Sequence, residues 1–578
     1  MDVLGVSCYF HDAAACLYRD GQILAAAEEE RFSRLKHDAR FPAKAAQYCL
    51  SEGGIGAAAL EAVVFHEKPL RKLDRILRSC IDGAPASFPM FLGAMRSWVS
   101  EKIWVPSTIR AQLGFRGRVL YVEHHASHAA SAFFVSPFDR AGTLTVDGVG
   151  EHATVTIGIG DGKSLTLLKE IRFPHSLGLL YSALTGFLGF EVNDGEYKVM
   201  GLAAYGRPRY VDEVRKLLAV RADGSFKMDV RYFRYHHRLS VWSQALESLL
   251  GPPRVPEGPI EDRHADIAAS LQVVTEDAVV RLAEEAVRET GCDRLAMAGG
   301  VALNVLANRE VLRRSGVREL FIPPAPGDSG AAVGAAAYVG HAVFGMPRGP
   351  ALASARLGPA FDAETIGRFL RDEGIAHRDR GDRMLDDAAD RIAAGQVIGW
   401  FQGRMEFGPR ALGARSILAD PTRREMKDLI NVKVKHREPF RPFAPAVLRE
   451  AAGQYFVEDE DSPFMLLVSH VRVDQRDRVP AITHVDGTAR VQTVSRENDP
   501  LFYELIRLVG QRTGTPMLLN TSFNLRGEPI VCSPADAYRT FCDTELDALV
   551  IGPFVVEASA KRAMDPLSSG PREAVWLS

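Results

Sequence analysis

The sequence lacks the features that mark several large classes of protein. Its seven cysteines include no CxxC pair and are odd in number, which argues against a disulfide framework and a structural zinc site. Its 70 basic and 73 acidic side chains give a net charge of only -3, so it lacks the basic excess of general nucleic-acid-binding proteins. Apolar residues make up 46% and charged residues 25%, values that exclude a disordered or collagen-like chain.

The sequence also lacks a segment suited to crossing a membrane or directing secretion. The longest run of small apolar residues, 331–346, is interrupted by His341 and three glycines, whereas a spanning helix needs about 20 mainly apolar residues. The first residues carry an acid at position 2 and no basic region before an apolar stretch, unlike a signal peptide. We therefore expect a cytoplasmic protein without a membrane partner.

The pattern of short strands predicts an α/β protein with an internal duplication. Three strands separated by turns are predicted over 3–9, 13–18 and 22–28, and the residues from Thr143 to 171 repeat this design. A long amphipathic helix over 265–290 is predicted to precede a strand over 294–298, a glycine pair and a helix over 301–314. The aperiodic stretch 347–358, rich in Pro and Gly, predicts a boundary between a domain at 1–350 and a domain at 359–578.

Two histidines and two aspartates form the first group of candidate site residues. His124 and His128 are four residues apart, so on a helix both imidazoles face one side. Asp147 and Asp328 are each predicted to follow a strand, where α/β folds place functional groups. Two imidazoles and two carboxylates suit a divalent ion such as iron, with open positions for a ligand. Ordinary turns for the aspartates, and core or solvated positions for the histidines, are the alternatives.

Other candidates in the first half of the chain lie in turns. His11 occupies the turn of the first strand group, and Asp147-Gly148 occupies the matching turn of the second. A base, a substrate anchor and a turn cap are the alternative roles for His11. Lys198 lies in a charged turn and either contacts a phosphate or is a solvated lysine. Gly299-Gly300 is predicted to bring the start of a helix to an anion.

The second strong region is basic and runs from Arg404 to Arg441. Ten Lys/Arg and five Asp/Glu occur in it, and the arginines alternate with glycine, proline and aromatic residues rather than lining a helix. This pattern favours a phosphate-binding site over a solvated face. Near the C-terminus, residues 520–524 (NTSFN) follow a predicted strand and offer hydroxyl and amide groups, with a polar turn as the alternative.

Together these segments resemble one family. The motifs FHDAA, EEERFSRLKH, HHASHAASAF, DGVGE, YKVMGLAAYG, AGGVALN, PPAPGDSG, GRMEFGPRALGARSI, VKHREPFRPFAP and NTSFNLRGEPIV follow one another from about residue 3 to residue 557. They resemble the O-carbamoyltransferases of the nodulation-factor and antibiotic-tailoring type, whose members modify aminoglycosides, cephems, macrolides and Nod factors. The resemblance implies a duplicated actin/Hsp70-like ATPase domain of the Kae1 type, followed by a YrdC-like α/β domain with a basic cavity.

The resemblance also implies a two-step reaction. ATP and carbamoyl phosphate would form carbamoyl-adenylate in the YrdC-like domain, and the Kae1-like domain would transfer the carbamoyl group to a hydroxyl of a small molecule such as an antibiotic, a glycoside or a Nod-factor-like acceptor. A threonylcarbamoyl-type tRNA-modifying enzyme would need a nucleic-acid surface, for which the net charge of -3 gives little support. An Hsp70-like ATPase binding module would have no use for a second, basic domain.

Site residues are implied where the motifs match. The metal ligands would be His124, His128, Asp147 and Asp328, with iron as the ion and Mg²⁺ accompanying ATP. The catalytic residues would be His11, Lys36, Arg410, Lys435 and Ser522. The residues expected to bind ATP or the adenylate are Asp147, Gly148, Lys198, Gly299, Gly300, Asn304, Arg437 and Asn524. The segments 67–106 and 220–256 would shape the acceptor pocket, the first through the aromatic residues Phe88, Phe91, Trp98 and Trp104. The chain departs from the family pattern at Cys532, where a relative has serine, and we predict no role for this residue.

Overall fold

The chain divides into two compact units. The computed structural model describes residues 1–561 except 101, 239, 436, 439 and 459. The first unit comprises Met1–Leu24, Ala39–Ala46 and Ile55–Leu352, and the second comprises Ala25–Asp38, Gln47–Gly54 and Ala353–Ser578. Each unit has its own hydrophobic core, as expected when packed layers of helix and sheet bury their apolar faces separately.

Strands between Asp2 and Phe321 form two five-stranded sheets and a two-stranded ribbon. The strands are β1 (Asp2–Ser7), β2 (Ala14–Arg19), β3 (Gln22–Glu28), β4 (Ala62–Phe65), β5 (Arg118–Tyr121), β6 (Arg140–Val146), β7 (Ala153–Asp161), β8 (Ser164–Arg172), β9 (Leu218–Val220), β10 (Phe226–Met228), β11 (Arg294–Ala298) and β12 (Glu319–Phe321).

The two large sheets have the same connectivity. Their strand orders are β3-β2-β1-β4-β5 and β8-β7-β6-β11-β12. In each, the first strand pairs antiparallel with the second and parallel with the fourth, which pairs parallel with the fifth. The hairpin turns match as well, because each contains an Asp-Gly pair. Gly21 and Gly162 have positive φ angles of +91° and +54°, and tight hairpin turns with such angles favour Asp-Gly. The repeated topology confirms the predicted duplicated α/β fold.

The helices of residues 1–352 lie between and after these strands along the chain, and the first of them, Glu29–Ser33, belongs to the second unit. They are α1 (Glu29–Ser33), α2 (Ala43–Glu52), α3 (Pro69–Asp82), α4 (Phe88–Ser100), α5 (Val105–Leu113), α6 (His124–Phe133), α7 (Leu177–Phe187), α8 (Glu196–Ala203), α9 (Val211–Leu217), α10 (Gln244–Leu250), α11 (Asp262–Thr290), α12 (Val305–Arg314) and α13 (Asp328–Ala342).

Small residues allow α6 and α13 to pack closely. A Cβ atom at Gly334 of α13 would lie 1.7 Å from the carbonyl oxygen of Ser127 in α6, and one at Gly5 of β1 would lie 1.9 Å from the carbonyl oxygen of Ala332. Because no side chain larger than hydrogen fits at either contact, the run of Gly and Ala in α13 is a packing requirement. This close approach brings the first turn of α13 to the first turns of α6.

The second unit is built on one nine-stranded mixed sheet of order β13-β21-β20-β14-β15-β19-β16-β18-β17. Its strands are β13 (Arg378–Asp379), β14 (Ile398–Phe401), β15 (Arg415–Ala419), β16 (Ala444–Leu448), β17 (Leu467–His470), β18 (Thr488–Val494), β19 (Met517–Ser522), β20 (Ala548–Ile551) and β21 (Phe554–Glu557). Its helices are α14 (Ala363–Asp372), α15 (Met384–Ala393), α16 (Met426–Leu429), α17 (Ala452–Tyr455), α18 (Pro500–Thr513) and α19 (Pro534–Cys542). A second α/β structure, as predicted, therefore accompanies the duplicated one.

Several predicted elements differ from the structure at their ends. The helix predicted over 301–314 begins at Val305, because the side chain of Asn304 caps it after a 3₁₀ turn over Gly300–Leu303. Asp328 is the first residue of α13 rather than part of a preceding turn. Residues 520–522 lie within β19 instead of following it. Among the described residues, no helix is long and apolar enough to span a bilayer.

Candidate active sites

Four predicted side chains of the first unit meet at one point. One ligand atom from each of His124, His128, Asp147 and Asp328 lies within 4.8 Å of the others, and all four residues are buried. The Nε2 atom of His124 lies 3.1 Å from Oδ2 of Asp147 and 3.1 Å from Nε2 of His128. The Nε2 atom of His128 lies 3.4 Å from Oδ1 of Asp328. We call this group the His/Asp cluster.

The local structure explains how these side chains converge. His124 and His128 lie on the first two turns of α6, Asp147 directly follows β6, and Asp328 opens α13. The carboxylate of Glu151 holds the start of α6, because its oxygens lie 3.1 Å from the backbone nitrogen of His124, which donates to them. Glu151 was not among the predicted residues. The signal for it is the acid that ends the segment DGVGE.

The His/Asp cluster stabilises positive charge. Burial lowers the pKa of His124, but the carboxylates of Asp328 and Asp147 raise it to about 9. Burial raises the pKa of Asp147, but its hydrogen bond with His124 and the charges of His128 and His124 lower it well below its usual range. A bound cation would replace the proton that these carboxylates favour.

The donor set of the His/Asp cluster fits a divalent ion. The facing nitrogen and oxygen atoms are 3.1 to 3.9 Å apart, the spacing of atoms bound to one ion at about 2.1 Å. Two imidazoles and two carboxylates form a mixed nitrogen and oxygen set that suits a transition metal. The residues present therefore meet the chemical requirements of such a site.

His11 lies at the edge of the His/Asp cluster. Its Nδ1 atom is 2.9 Å from Oδ2 of Asp12, and its Nε2 atom is 3.8 Å from Oδ2 of Asp328. Burial lowers the pKa of His11, but Asp328 and Asp12 raise it to about 9. Its side chain is 24% exposed, whereas His124 and His128 are 4% and 0% exposed. His11 is thus the most exposed histidine of this group.

Three of the predicted glycines surround Asp147. The backbone nitrogen of Gly300 donates to Oδ1 of Asp147 over 2.8 Å. Gly299 has a φ of +94°, and a Cβ atom there would lie 2.3 Å from the carbonyl oxygen of Val146, so only glycine fits. The carbonyl of Gly148 accepts a hydrogen bond from Ser176 over 2.6 Å. The glycines therefore form the backbone around Asp147 at the end of β6.

Asn304 and Lys198 occupy positions that the sequence did not indicate. The side-chain oxygen of Asn304 caps α12 at Ala307, and its amide exchanges two hydrogen bonds of 3.0 Å with Gln272. Lys198 is buried in α8, with Nζ 5.9 Å from the ring centre of Phe190. Lys198 is therefore not the solvated lysine that was one of the two alternatives.

In the second unit the predicted residues Lys435, Ser522 and Asn524 are in contact. The Nζ atom of Lys435 donates to Oδ1 of Asn524 over 2.8 Å and to the Asn524 carbonyl over 2.9 Å. It also donates to the carbonyl of Ser522 and lies 3.4 Å from the Ser522 hydroxyl oxygen. These four partner atoms of the buried ammonium are all neutral oxygens.

Other cations surround Lys435. Burial, Arg437, Arg441 and Lys36 lower the pKa of Lys435 well below its usual range, against a smaller opposing effect of Glu528. Burial and the nearby arginines Arg410, Arg437 and Arg441 likewise lower the pKa of Arg490. We define the cationic cluster by its members, which are Lys36, Arg410, Lys435, Arg437, Arg441 and Arg490. Like charges gathered in this way favour the binding of a polyanion.

Arg490 was missed by the sequence analysis. It lies in β18 and is separated by about fifty residues from the basic run that ends at Arg441. The only signal is one basic residue within the strand TARVQTV. Its Nε atom is buried and has no hydrogen-bond partner among the described residues, a situation that costs free energy unless a ligand supplies the partner.

The loop that carries Arg410 is held by Glu406. This buried carboxylate accepts hydrogen bonds from the backbone nitrogens of Leu412, Ala414 and Arg415 over 2.8, 2.6 and 3.2 Å. Arg415 is also fully buried, and its guanidinium donates to the carbonyl of Gln402 over 2.9 Å. Two charged residues of the basic region, Glu406 and Arg415, thus fix the loop.

The segment around Lys36 packs within the second unit. Arg31 of α1 is buried and donates to the carbonyl of Gly408 over 2.8 Å. Arg34 donates to the carbonyls of Ile530 and Pro529 over 2.6 and 2.9 Å. The charged sequence EEERFSRLKH therefore anchors Lys36 among the residues that form the cationic cluster.

Cys532 is buried, and the aromatic residues of segment 67–106 differ in how much of each side chain is exposed. Burial raises the pKa of the Cys532 thiol to about 12, so it is protonated at neutral pH and not a nucleophile. Trp98 is buried and Phe91 half-buried, whereas Phe88 and Trp104 are 60% and 54% exposed. The segment thus presents only part of its predicted aromatic surface.

Comparison with known proteins places the chain in one family. The carbamoyltransferase N-terminus matches residues 2–337, and the carbamoyltransferase C-terminus matches residues 389–558. The uncharacterized protein sll1178 of Synechocystis sp. is 46% identical over 97% of both chains. Nodulation protein NolNO of Sinorhizobium fredii is 38% identical over 96% of this chain and 80% of its own. Nodulation protein NolO of Bradyrhizobium diazoefficiens is 40% identical over 75% of this chain and 78% of its own. The chain therefore belongs to the carbamoyltransferase family and is a carbamoyltransferase.

Proposed function

We propose that this carbamoyltransferase is ATP-dependent and works in two half-reactions, one in each unit. The observation that carries the proposal is that the two units hold clusters of opposite character. The His/Asp cluster pairs imidazoles with carboxylates, whereas the cationic cluster gathers like charges around Lys435. A cation-seeking site and a polyanion-seeking site suit different steps of one carbamoyl transfer.

The first half-reaction is assigned to the second unit. Carbamoyl phosphate would lose phosphate to water and leave carbamate, one oxygen of which attacks the α-phosphorus of ATP and displaces pyrophosphate. Arg410, Arg437 and Arg490 would hold the phosphate oxygens, since guanidinium groups match the geometry of phosphates. Lys435, held by Ser522 and Asn524, would offset the negative charge that grows on the pentacoordinate phosphorus.

The second half-reaction is assigned to the first unit. The acceptor hydroxyl oxygen would attack the carbamoyl carbon of carbamoyl-adenylate, and AMP would leave. His11, the most exposed histidine beside the cluster, would take up the hydroxyl proton, because a divalent ion bound to the carboxylates would offset the negative charge that raises the pKa of His11. The backbone at Gly148, Gly299 and Gly300 would lie against the adenylate phosphate. A divalent ion held by His124, His128, Asp147 and Asp328, with iron as our assignment, would supply positive charge there.

The acceptor is proposed to be a hydroxyl of a small molecule. The names of the nodulation proteins NolNO and NolO favour a glycoside of the Nod-factor kind, within the wider class that includes antibiotics. A nucleic-acid acceptor would need a basic surface, and the chain has a net charge of -3.

The proposal is tested by the nucleotide product. Purified protein is given ATP with and without carbamoyl phosphate, and nucleotides are separated by chromatography. We expect AMP and pyrophosphate, only when carbamoyl phosphate is present. Formation of ADP would indicate a kinase, and ATP turnover without carbamoyl phosphate would indicate an ATPase of the Hsp70-like kind.

A further inference from the structure

Arg75 stands out in the first unit because its charge has no contact partner. It lies half-buried on α3, and its guanidinium makes no hydrogen bond or ion pair with any residue that the structure describes; its Nη1 atom is buried. The guanidinium carbon lies 5.1 Å from the ring centre of Phe173. A ring face attracts a cation but leaves its N–H donors unused.

The two carboxylates whose charges act on Arg75 are engaged elsewhere. Glu67 makes a buried ion pair with Lys72, and Glu151 accepts hydrogen bonds from the backbone nitrogens of Lys68 and His124. Burial lowers the pKa of Arg75 to about 10, although Glu67 and Glu151 raise it. A guanidinium that is partly desolvated and lacks an anion in contact costs stability, a cost that a bound anion would offset.

Glu67 and Glu151, the two carboxylates whose charges act on Arg75, both adjoin His124 of the His/Asp cluster. Atoms of His66, Glu67 and His124 lie within 4.8 Å of one another, and the rings of His66 and His124 have centres 5.6 Å apart. One turn before Arg75, Nζ of Lys72 lies 5.4 Å from the ring centre of Phe10, whose ring contacts that of His11. The same face of α3 thus adjoins both the cluster and the histidine assigned to the acceptor.

Two aromatic rings, those of Phe173 and Tyr235, lie one after the other next to Arg75. The ring centre of Phe173 lies 6.1 Å from that of Tyr235, and both side chains are half-buried. The Tyr235 hydroxyl is fixed by donating to the carbonyl of Pro174 over 2.9 Å. Flat apolar surface beside unused guanidinium donors suits a ligand with both a planar or sugar face and an anionic group.

We propose that Arg75 and Phe173 form an anion subsite for the acceptor, which therefore carries a carboxylate or phosphate group as well as the hydroxyl. The assignment of the bound molecule as the acceptor rests on the proposed function, whereas the binding of an anion at Arg75 does not. Carboxylate and phosphate share the paired oxygens that a guanidinium fork binds, so the experiment includes a probe of each kind.

The test measures binding of three aromatic probes by ¹⁹F NMR titration: 4-fluorobenzoate, 4-fluorophenyl phosphate and the neutral 4-fluorobenzyl alcohol. We expect the anionic probes to bind at least about 10-fold more tightly than the alcohol, with the tighter of the two anions identifying the group. Arg75→Met should remove this preference, and Phe173→Leu should weaken all three probes. Arg78→Met, on the same helix but 73% exposed and paired with Asp74, should bind like the wild type.

Thermal unfolding separates a binding role from a structural one. Because Arg75 lacks a contact anion, Arg75→Met should leave the melting temperature unchanged or raise it. A lower melting temperature, or unchanged binding of the anionic probes by Arg75→Met, would overturn the subsite. Formation of AMP by the wild type is measured separately, and its absence would remove the proposed reaction without affecting anion binding at Arg75.

Discussion

The His/Asp cluster and the cationic cluster bury charge in opposite ways. In the first, carboxylates raise the pKa of His124 while histidines lower that of Asp147, so each charge supports its partner. In the second, neighbouring cations lower the pKa of both Lys435 and Arg490, so each charge opposes the others. The first arrangement balances its own charges, whereas a bound polyanion would stabilise the second.

This difference also predicts how substitutions act. Removing one member of the His/Asp cluster leaves a partner buried and unpaired. Removing one member of the cationic cluster relieves electrostatic repulsion in the free protein. Such a substitution should lower stability only when a ligand is bound. We make four predictions that test this difference between the His/Asp cluster and the cationic cluster, from the largest expected effect to the smallest.

Lys435→Ala should reduce adenylate formation by about 10³-fold, because the ammonium that would offset charge at the α-phosphorus is lost. Pyrophosphate release from ATP in the presence of carbamoyl phosphate is the measurement. Arg424→Ala is the matched control, since Arg424 lies in the same basic run but is 76% exposed. Equal losses in both variants would show that only the overall charge of the region matters.

His128→Ala should lose the bound metal and reduce carbamoyl transfer by about 10²-fold, because His128 is one of four donors within 4.8 Å. Elemental analysis of the purified variant gives the metal content, before and after chelation. His152→Ala serves as the control, since His152 lies in the same unit and is 33% exposed. Full metal content in His128→Ala, or none in an active wild type, would contradict the assignment.

Glu151→Ala should weaken metal binding by about 10-fold to 100-fold, the range typical for partners of metal ligands. Glu151 holds the start of α6 through the backbone nitrogen of His124, so its loss loosens the first ligand without removing one. A competing chelator measures the affinity. Glu151→Gln keeps an acceptor oxygen and should lose less, whereas equal losses would point to charge alone.

Binding of ATP to the second unit should take up a fraction of a proton at pH above the lowered pKa of Lys435. The free ammonium is partly deprotonated there because burial and neighbouring cations lower its pKa, and the bound phosphates raise that pKa again. Calorimetry in two buffers of different ionisation enthalpy measures the uptake. It should vanish in Lys435→Met, and proton release by the wild type would contradict the sign.

The His/Asp cluster was more predictable from sequence than the cationic cluster. The spacing of His124 and His128 requires only one helix, and strand ends place Asp147 and Asp328. Lys435, Ser522 and Asn524 were proposed from the resemblance, but their contact depends on β19 and the segment after it reaching a residue almost ninety positions earlier. Such long-range proximity leaves no local pattern.

Charge alone does not distinguish ligand-binding residues from structural ones. Glu406 and Arg415 look like part of a basic binding region but hold backbone groups of the loop, and Arg31 anchors α1 in the same way. Burial does not distinguish these structural charges from Lys435, which is buried as well. Their hydrogen bonds to backbone groups of the loop that carries Arg410 do. Strand pairing was predictable throughout the duplicated meanders, since hairpin turns and alternation are local.

The central claim is that each cluster serves its own half-reaction, and one pair of assays tests it most directly. Pyrophosphate release, and carbamoyl transfer from synthetic carbamoyl-adenylate, are measured on two sets of variants: Arg410→Ala, Lys435→Ala and Ser522→Ala, and His124→Ala, Asp147→Ala and His11→Asn. The first set should lose pyrophosphate release by about 10²-fold or more but keep transfer, and the second set should show the reverse. Loss of the same half-reaction in both sets would contradict the account.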